Sequence, residues 1–138
     1  MRIVRLPGIH HDSNVILAIG TLGNIVIDSG TSWYQSLLLE RVTGILEDEK
    51  VKPEKVDRIL LTSRRYPCSG GANYLSEQLS KCPIHIHPEG QSSLETGDFF
   101  TTWANRFDSD MPVTITESVN DNDVFHLGNG QICAIALP

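Results

Sequence analysis

The residues best suited to chemistry lie in one short loop, residues 62–71, between an apolar segment and a helical one. If the helix begins within this loop, an arginine side chain and three backbone N–H groups would converge at its N-terminus. Such a position attracts a phosphate or a carboxylate. The groups belong to Arg65, Ser69, Gly70 and Gly71. The alternative is that Arg65 and its neighbour Arg64 are simply solvated.

Cys68 lies in the same loop, three residues after Arg65. A nearby cation and a helix start would lower the pKa of its thiol, and the resulting thiolate is a nucleophile. Neither sequence neighbour of Cys68 is a histidine that could serve as a base. The alternative is a free thiol that behaves as a small hydrophobic side chain.

Two groups of histidines are candidate metal ligands. His85 and His87 are two residues apart in an apolar segment, so a strand would direct both to one face, where a third donor would complete a metal site. Without that donor, such a pair is usually part of a hydrogen-bonded structure. The side chains of His10, His11 and Asp12 would point in different directions if extended, which favours a solvated loop.

The apolar pattern predicts an alternation of strands and helices. Segments 15–19 and 24–28 are β-branched runs joined by a glycine-bearing turn, which predicts a hairpin. A helix over 32–48 follows, with a capping-box pattern at Ser32 and Gln35. The further predicted elements are strands at 56–62, 84–87, 113–115, 124–127 and 132–137, and helical segments at 69–80 and 89–95.

Four aromatic residues lie in a segment that the pattern assigns less clearly. Their spacing fits one face of a helix, and such a stripe is more typical of a core or an interface than of a ligand site. They are Phe99, Phe100, Trp103 and Phe107.

The composition limits the class of function. With 138 residues, of which 40% are hydrophobic and 20% charged, the chain suits one globular domain. Its formal net charge of -6 gives no attraction to nucleic acid or to a membrane surface, and no apolar segment reaches the roughly 20 residues that cross a bilayer. Three cysteines without a CxxC pair, and a start without the apolar run of a signal peptide, predict a cytoplasmic location.

The order of these features resembles the metallo-β-lactamase superfamily, including its glyoxalase II-like hydrolases. The resemblance rests on Ile27-Asp28-Ser29-Gly30 after a hairpin, and on Ile59-Leu60-Leu61-Thr62 followed by Gly70-Gly71. It covers nearly the whole chain and implies an α/β (α+β) fold, half of an αββα sandwich in which a mixed β-sheet has flanking helices. In that family a His-x-His-x-Asp-His run holds one or two zinc, iron or manganese ions that activate a water.

In this chain other residues occupy the four ligand positions of that run. The first two histidines correspond to Ser63 and Arg65, the aspartate to Pro67 and the last histidine to Cys68. Only Cys68 is a good metal ligand, and Arg65 keeps its proton in proteins, so it repels a cation as well as failing to bind one. The sequence therefore predicts a decayed metal site and no cofactor.

The resemblance also implies a structural role and an unfinished sandwich. Asp28 corresponds to an aspartate that supports the active-site loops by hydrogen bonds, although a carboxylate that caps the following turn would look similar. Residues 1–138 would form a single domain that lacks the C-terminal half of the fold. Because the strand from Ile132 to Leu137 is apolar on both faces, we expect a homo-oligomer or a companion chain to cover it.

Three hypotheses about function follow. The first is a metallo-β-lactamase-like domain that has lost its metal ligands and acts as a non-catalytic binding or scaffolding module. The second is a metal-dependent hydrolase of thioesters, lactones or phosphoesters, completed by a partner chain or by the missing C-terminal half. The third, compatible with the first, is an obligate homo-oligomer.

Overall fold

The computed structural model of the chain describes residues 1–98, 100–107 and 113–137. Its main element is a mixed β-sheet of six strands. These strands are Arg2–Leu6 (β1), Val15–Ile19 (β2), Asn24–Ile27 (β3), Arg58–Leu60 (β4), Ile84–Ile86 (β5) and Glu117–Ser118 (β6). A separate two-stranded ribbon is formed by Val124–His126 (β7) and Gln131–Cys133 (β8).

The sheet combines a hairpin meander with a parallel half. Its strand order is β1-β2-β3-β4-β5-β6, antiparallel up to β3 and parallel from β3 onwards. The predicted hairpin of 15–19 and 24–28 is confirmed, and it places Ile16 opposite Ile27. In the parallel half, Ile27 pairs with Leu60 and Leu60 pairs with His85, so these three side chains lie on one face of the sheet.

In the described ranges, four α-helices and three short 3₁₀ turns connect the strands. The helices are Gln35–Asp48 (α1), Tyr66–Ser69 (α2), Ala72–Gln78 (α3) and Pro88–Thr96 (α4), and the turns are Ser32–Tyr34, Pro53–Lys55 and Ala104–Phe107. The predicted capping box is wrong, because the Thr31 hydroxyl accepts from the N–H of Trp33 at 3.3 Å instead. Among the described residues, no helix is long and apolar enough to span a membrane.

Several predicted boundaries are wrong where tertiary contacts override local pattern. The helix over 69–80 begins earlier, at Tyr66, and is divided at Gly70-Gly71 into α2 and α3. Segment 113–115 does not pair as a strand, because the N–H of Val113 donates to the carbonyl of Leu94 at the end of α4. The strand over 132–137 ends at Cys133, where its pairing with β7 runs out.

The core occupies both faces of the sheet. The larger part lies between one face and the helices, and includes Leu17, Val26, Ile59, Val42, Leu46 and Leu75. On the other face the β7–β8 ribbon packs through Phe125, Leu127 and Ile132 against Ala18, Ile25 and Leu60. This arrangement confirms the predicted α/β (α+β) class, a mixed sheet with flanking helices.

Asp28 joins the end of β3 to the loop after β4. The residue has a left-handed backbone (φ 66°), and its side chain is 6% exposed. Its carboxylate accepts from the N–H of Thr62 at 2.8 Å and from the Thr62 hydroxyl at 2.7 Å. Burial raises the pKa of Asp28 to about 6, although the bonds from Thr62 oppose the shift. This is the loop-supporting geometry that the resemblance implied, and the turn itself is held by Asp12 instead, which accepts from Thr31.

Two glycine substitutions should have opposite effects on stability. A methyl group at Gly71 would lie 2.8 Å from the carbonyl oxygen of Ser29, whereas nothing lies within 4 Å of one at Gly44, in the exposed interior of α1. Gly71→Ala should therefore lower the free energy of unfolding by roughly 1–3 kcal/mol. Gly44→Ala should raise it by about 0.5–1 kcal/mol. Urea titrations measure both, and a Gly71→Ala variant as stable as the wild type would contradict the close approach.

Asp28→Asn should change the dependence of stability on pH. Because the folded pKa of about 6 exceeds the ordinary 3.8, folding favours the protonated carboxyl, and stability falls as pH rises from about 4 to about 6. A pKa shift of this size corresponds to a cost of roughly 3 kcal/mol for ionising the buried carboxyl group. The isosteric amide of asparagine does not ionise and so avoids this cost. In denaturant titrations across this pH range, the free energy of unfolding of the variant should increase relative to that of the wild type as pH rises. The exposed Glu40→Gln variant is the control, and parallel profiles for Asp28→Asn and wild type would refute the claim.

Candidate functional site

The 62–71 loop lies at the C-terminal ends of the parallel strands, which is where ligands commonly bind in α/β sheets. Beside it is a cleft of about 840 Å³. Its walls are Thr62, Ser63 and Arg64 of the loop, His87 and Glu89 at the start of α4, and the segment from Ile132 to Leu137. Ile27 and Leu60 also line it, so the cleft is an apolar space with a polar side.

The four positions that correspond to metal ligands have other structural roles. Ser63 lines the cleft, and its hydroxyl accepts from the N–H of Arg65 at 3.1 Å. Pro67 lies in the first turn of α2, and its carbonyl accepts from the N–H of Ser13 at 3.0 Å. The carbonyl of Cys68 accepts from both the N–H and the hydroxyl of Ser29, each at 2.9 Å. These contacts join the loop to its neighbours.

The thiol of Cys68 is not activated. It is partly buried, and burial raises its pKa to about 11, with the Asp28 carboxylate acting in the same direction. The guanidinium of Arg65 favours the thiolate but is outweighed. Of the two alternatives for Cys68, an activated nucleophile and a free thiol that behaves as a small hydrophobic side chain, burial favours the second.

The predicted convergence of Arg65 with three backbone amides is also wrong. The N–H of Ser69 donates to the carbonyl of Arg65 at 3.1 Å, and that of Gly70 to Tyr66 at 2.9 Å. The N–H of Gly71 donates to the carbonyl of Gly30 at 2.9 Å. Since all three amides are already bonded, they offer no cradle for an anion.

His85 and His87 do not form a pair of ligands. His85 is 2% exposed, with its Nδ1 atom 3.7 Å from a carboxylate oxygen of Glu117, and its pKa is lowered by burial and by Arg58. His87 lies beyond the strand, where its Nδ1 atom accepts from the N–H of Glu89 at 3.2 Å and caps α4. The weak alternative of a metal site on this strand therefore lacks support from geometry.

The residues present do not fit the metal ions of the family. Serine and proline supply no strong ligand at positions 63 and 67, and the cation Arg65 occupies a third position. Cys68 is the one good metal ligand among the four positions, and a single ligand does not complete a metal site. Within residues 1–98, 100–107 and 113–137, no three His, Cys, Asp or Glu side chains are placed to share a metal ion.

The loop of His10, His11 and Asp12 is more ordered than predicted. Both histidines are exposed, as a solvated loop implies, and His11 approaches Trp33 and Phe107 edge-on, with ring centroids 6.4 and 5.4 Å away. Asp12 is an integral part of the fold, because it accepts from the N–H of Thr31 at 3.1 Å and from the Thr31 hydroxyl. Burial raises its pKa despite these bonds.

The predicted aromatic stripe is divided between several environments. Phe107 packs on Tyr66 and Trp33, with ring centroids 5.3 and 5.8 Å apart, whereas Phe100 is exposed. Trp103 instead stacks with Arg65, and Phe99 lies outside the described residues. In the described part of this segment, Ala104–Phe107 forms a 3₁₀ turn and no α-helix, so one helical face does not hold the three described aromatic residues.

Sequence reasoning missed that this segment packs on the 62–71 loop. The N–H of Tyr66 donates to the carbonyl of Thr102 at 2.7 Å. The Tyr66 hydroxyl, in turn, hydrogen-bonds with the hydroxyl of Ser32 and accepts from the Ser32 N–H at 3.3 Å. No local pattern indicates these contacts, because the partners are far apart in the sequence.

Comparison with known proteins agrees with this architecture. The sequence model of the metallo-β-lactamase superfamily matches residues 9–131, although no match was found among curated protein sequences. The MIM-2 metallo-β-lactamase is 25% identical, with a TM-score of 0.72 over 99% of this chain and 48% of that chain. GOB-18 from Elizabethkingia meningoseptica is 20% identical, with a TM-score of 0.72 over 91% of this chain and 45% of that chain.

A third structure is the metallo-β-lactamase of Cronobacter sakazakii, described by its HARLDQ motif. It is 19% identical, with a TM-score of 0.70 over 88% of this chain and 42% of that chain. The present chain thus spans less than half the length of the solved structures that it matches. The family match extends over most of its residues, and the chain belongs to the metallo-β-lactamase superfamily.

Proposed function

We propose that this chain is a non-catalytic module of the metallo-β-lactamase superfamily, which binds or scaffolds another molecule. One observation carries the proposal: the 62–71 loop has the supports of a functional site but not its ligands. Asp28 and Gly71 fix the loop at its two ends. The positions between them hold Ser63, Arg65 and Pro67 where metal ligands are required.

Arginine at position 65 is not, by itself, evidence that the metal site has been lost. The HARLDQ motif of the Cronobacter sakazakii protein also has arginine at the position of the second histidine, and glutamine at that of the last. That motif nevertheless keeps a histidine first and an aspartate fifth, where this chain has Ser63 and Pro67. The combined loss of these donors is the basis of the proposal.

A metal-dependent hydrolase of thioesters, lactones or phosphoesters remains the alternative activity. Of the four positions in the loop that correspond to metal ligands, only Cys68 has a side chain that is a good metal ligand. Such an enzyme would have to take most of its ligands from a partner chain or from a C-terminal half. The donor set of the loop thus favours binding over hydrolysis.

The segment after β8 is the basis for a second part of the proposal, self-association. Ile135 and Leu137 are 70% and 87% exposed, and both line the cleft. The segment is held in place, because the N–H of Ala136 donates to the Asp121 carboxylate at 2.9 Å. An ordered apolar segment of this kind is a typical interface. A second copy or a companion chain would cover it.

Metal analysis of the purified protein tests the absence of catalysis. Wild-type protein expressed with added zinc, iron or manganese should contain far less than one equivalent of metal. The variant Ser63→His, Arg65→His, Pro67→Asp, Cys68→His should acquire zinc, because the supports of the loop are unchanged. Circular dichroism checks that the variant folds. Stoichiometric metal in the wild type would overturn the proposal.

Light scattering after size exclusion tests self-association. The wild type should elute above the monomer mass of 15.3 kDa, in a concentration-dependent manner. The double variant Ile135→Asp, Leu137→Asp should dissociate at protein concentrations at least about tenfold higher, because charge opposes burial of the interface. The matched control is Leu22→Asp, which changes an equally exposed leucine in the β2–β3 turn. A folded wild-type monomer at high concentration would contradict self-association.

A further inference from the structure

A cluster of two arginines and a tryptophan lies on the surface beside the 62–71 loop. The guanidinium carbon of Arg65 is 3.5 Å from the ring centroid of Trp103, and that of Arg106 is 4.7 Å from the same ring. We call these three residues the arginine–tryptophan cluster. Arg65 belongs to the loop and Arg106 to a distant segment, so the cluster joins two parts of the chain.

The backbone that carries Trp103 is fixed by its neighbours. Trp103 has a left-handed backbone (φ 64°), which is unfavourable for a bulky residue and persists only where surrounding contacts impose it. Thr102 and Ala104 on either side are buried, and the carbonyl of Thr102 accepts from Tyr66. The N–H of Arg106 donates to the carbonyl of Trp103 at 2.9 Å. The indole is therefore a positioned platform for the two guanidinium groups.

Neither guanidinium group of the cluster has an ion-pair partner in the part of the chain that the structure describes. The ion pairs within residues 1–98, 100–107 and 113–137 are Arg2 with Glu49 and His85 with Glu117, so neither arginine of the cluster is neutralised there. Stacking on an indole uses the face of a guanidinium and leaves its N–H groups free in the plane. Both side chains belong to exposed residues.

Both guanidinium groups lie close to the same ring. Their guanidinium carbons are no more than about 8 Å apart, the sum of the two distances to the ring. A single phosphate can accept charge-assisted hydrogen bonds from both groups where their N–H edges meet on the same side of the indole. With a formal net charge of -6, the chain as a whole repels anions, so any attraction must come from such a local pair.

Aromatic residues follow both arginines in the chain, Tyr66 after Arg65 and Phe107 after Arg106, and their ring centroids are 5.3 Å apart. Phe107 follows Arg106 directly and contacts Trp33, whose ring centroid is 5.8 Å away. Trp33 is 53% exposed, and His11 lies at its edge. A planar group attached to the anion would find apolar ring surface there.

We propose that the arginine–tryptophan cluster binds a phosphate monoester carried on an aromatic group. The phosphate accepts hydrogen bonds from Arg65 and Arg106, and the attached ring lies against Trp33. The inference rests on the proposed binding function and specifies its ligand, since Arg65 stands at a position where the family places a metal ligand. No chemical step is involved.

Titration with phenyl phosphate, followed by tryptophan fluorescence and calorimetry, tests the proposal. The wild type should bind it at millimolar concentration or below, and more tightly than inorganic phosphate or phenol. Arg65→Gln and Arg106→Gln should each weaken binding by about tenfold or more, because each removes a charge-assisted hydrogen bond. The affinity of Arg65→Lys should lie between those of the wild type and Arg65→Gln, because lysine keeps the positive charge but lacks the planar pair of N–H donors. The control is Arg5→Gln, an exposed arginine in β1 with the same change of net charge.

The same titration with a chelator separates this inference from the proposed function. Binding through guanidinium groups should be unaffected by chelation and should weaken as salt is raised. No binding at millimolar phenyl phosphate, in folded protein without metal, would overturn the inference alone. Binding that disappears with the chelator would overturn both. An Arg5→Gln variant as weak as Arg65→Gln would show a nonspecific charge effect and also overturn the inference.

Discussion

The structure around the 62–71 loop depends on one constraint: the ends of β3 and β4 must be held together at the point where both strands stop. The Asp28 carboxylate does this by accepting from the N–H and the hydroxyl of Thr62. At the other end of the loop, the N–H of Gly71 donates to the carbonyl of Gly30, at an approach too close for a side chain. The contact of Gly71 with Gly30 is buried and those of Asp28 are partly buried, and away from water hydrogen bonds are electrostatically stronger.

This constraint separates the shape of the loop from its chemistry. The contacts of Asp28 and Gly71 fix the backbone without using the side chains of Ser63 or Arg65. Substitutions at exposed positions usually change stability by less than about 0.5 kcal/mol. The fold can therefore form with or without metal-binding side chains between the two supports. Shape indicates the family, and the side chains determine the activity.

Local patterns predicted what depends on neighbouring residues, namely the β2–β3 hairpin, α1 and the strand before the loop. They could not predict contacts between distant segments. The stacking of Arg65 on Trp103 required the fold, as did the burial that raises the pKa of Cys68. The apolar run after Ile132 indicated a long strand, yet a strand extends only as far as it has a partner, and pairing with β7 ends at Cys133.

A guanidinium near the metal position differs from a metal ion in a way that bears on function. Both attract oxyanions by positive charge. A metal ion also lowers the pKa of a bound water towards 7 and so supplies a nucleophile. The guanidinium of Arg65 keeps its proton and has no vacant coordination position, so it cannot activate water in this way. The proposed binding function therefore needs no metal ion, because a guanidinium in place of the histidine attracts an anion but supplies no nucleophile.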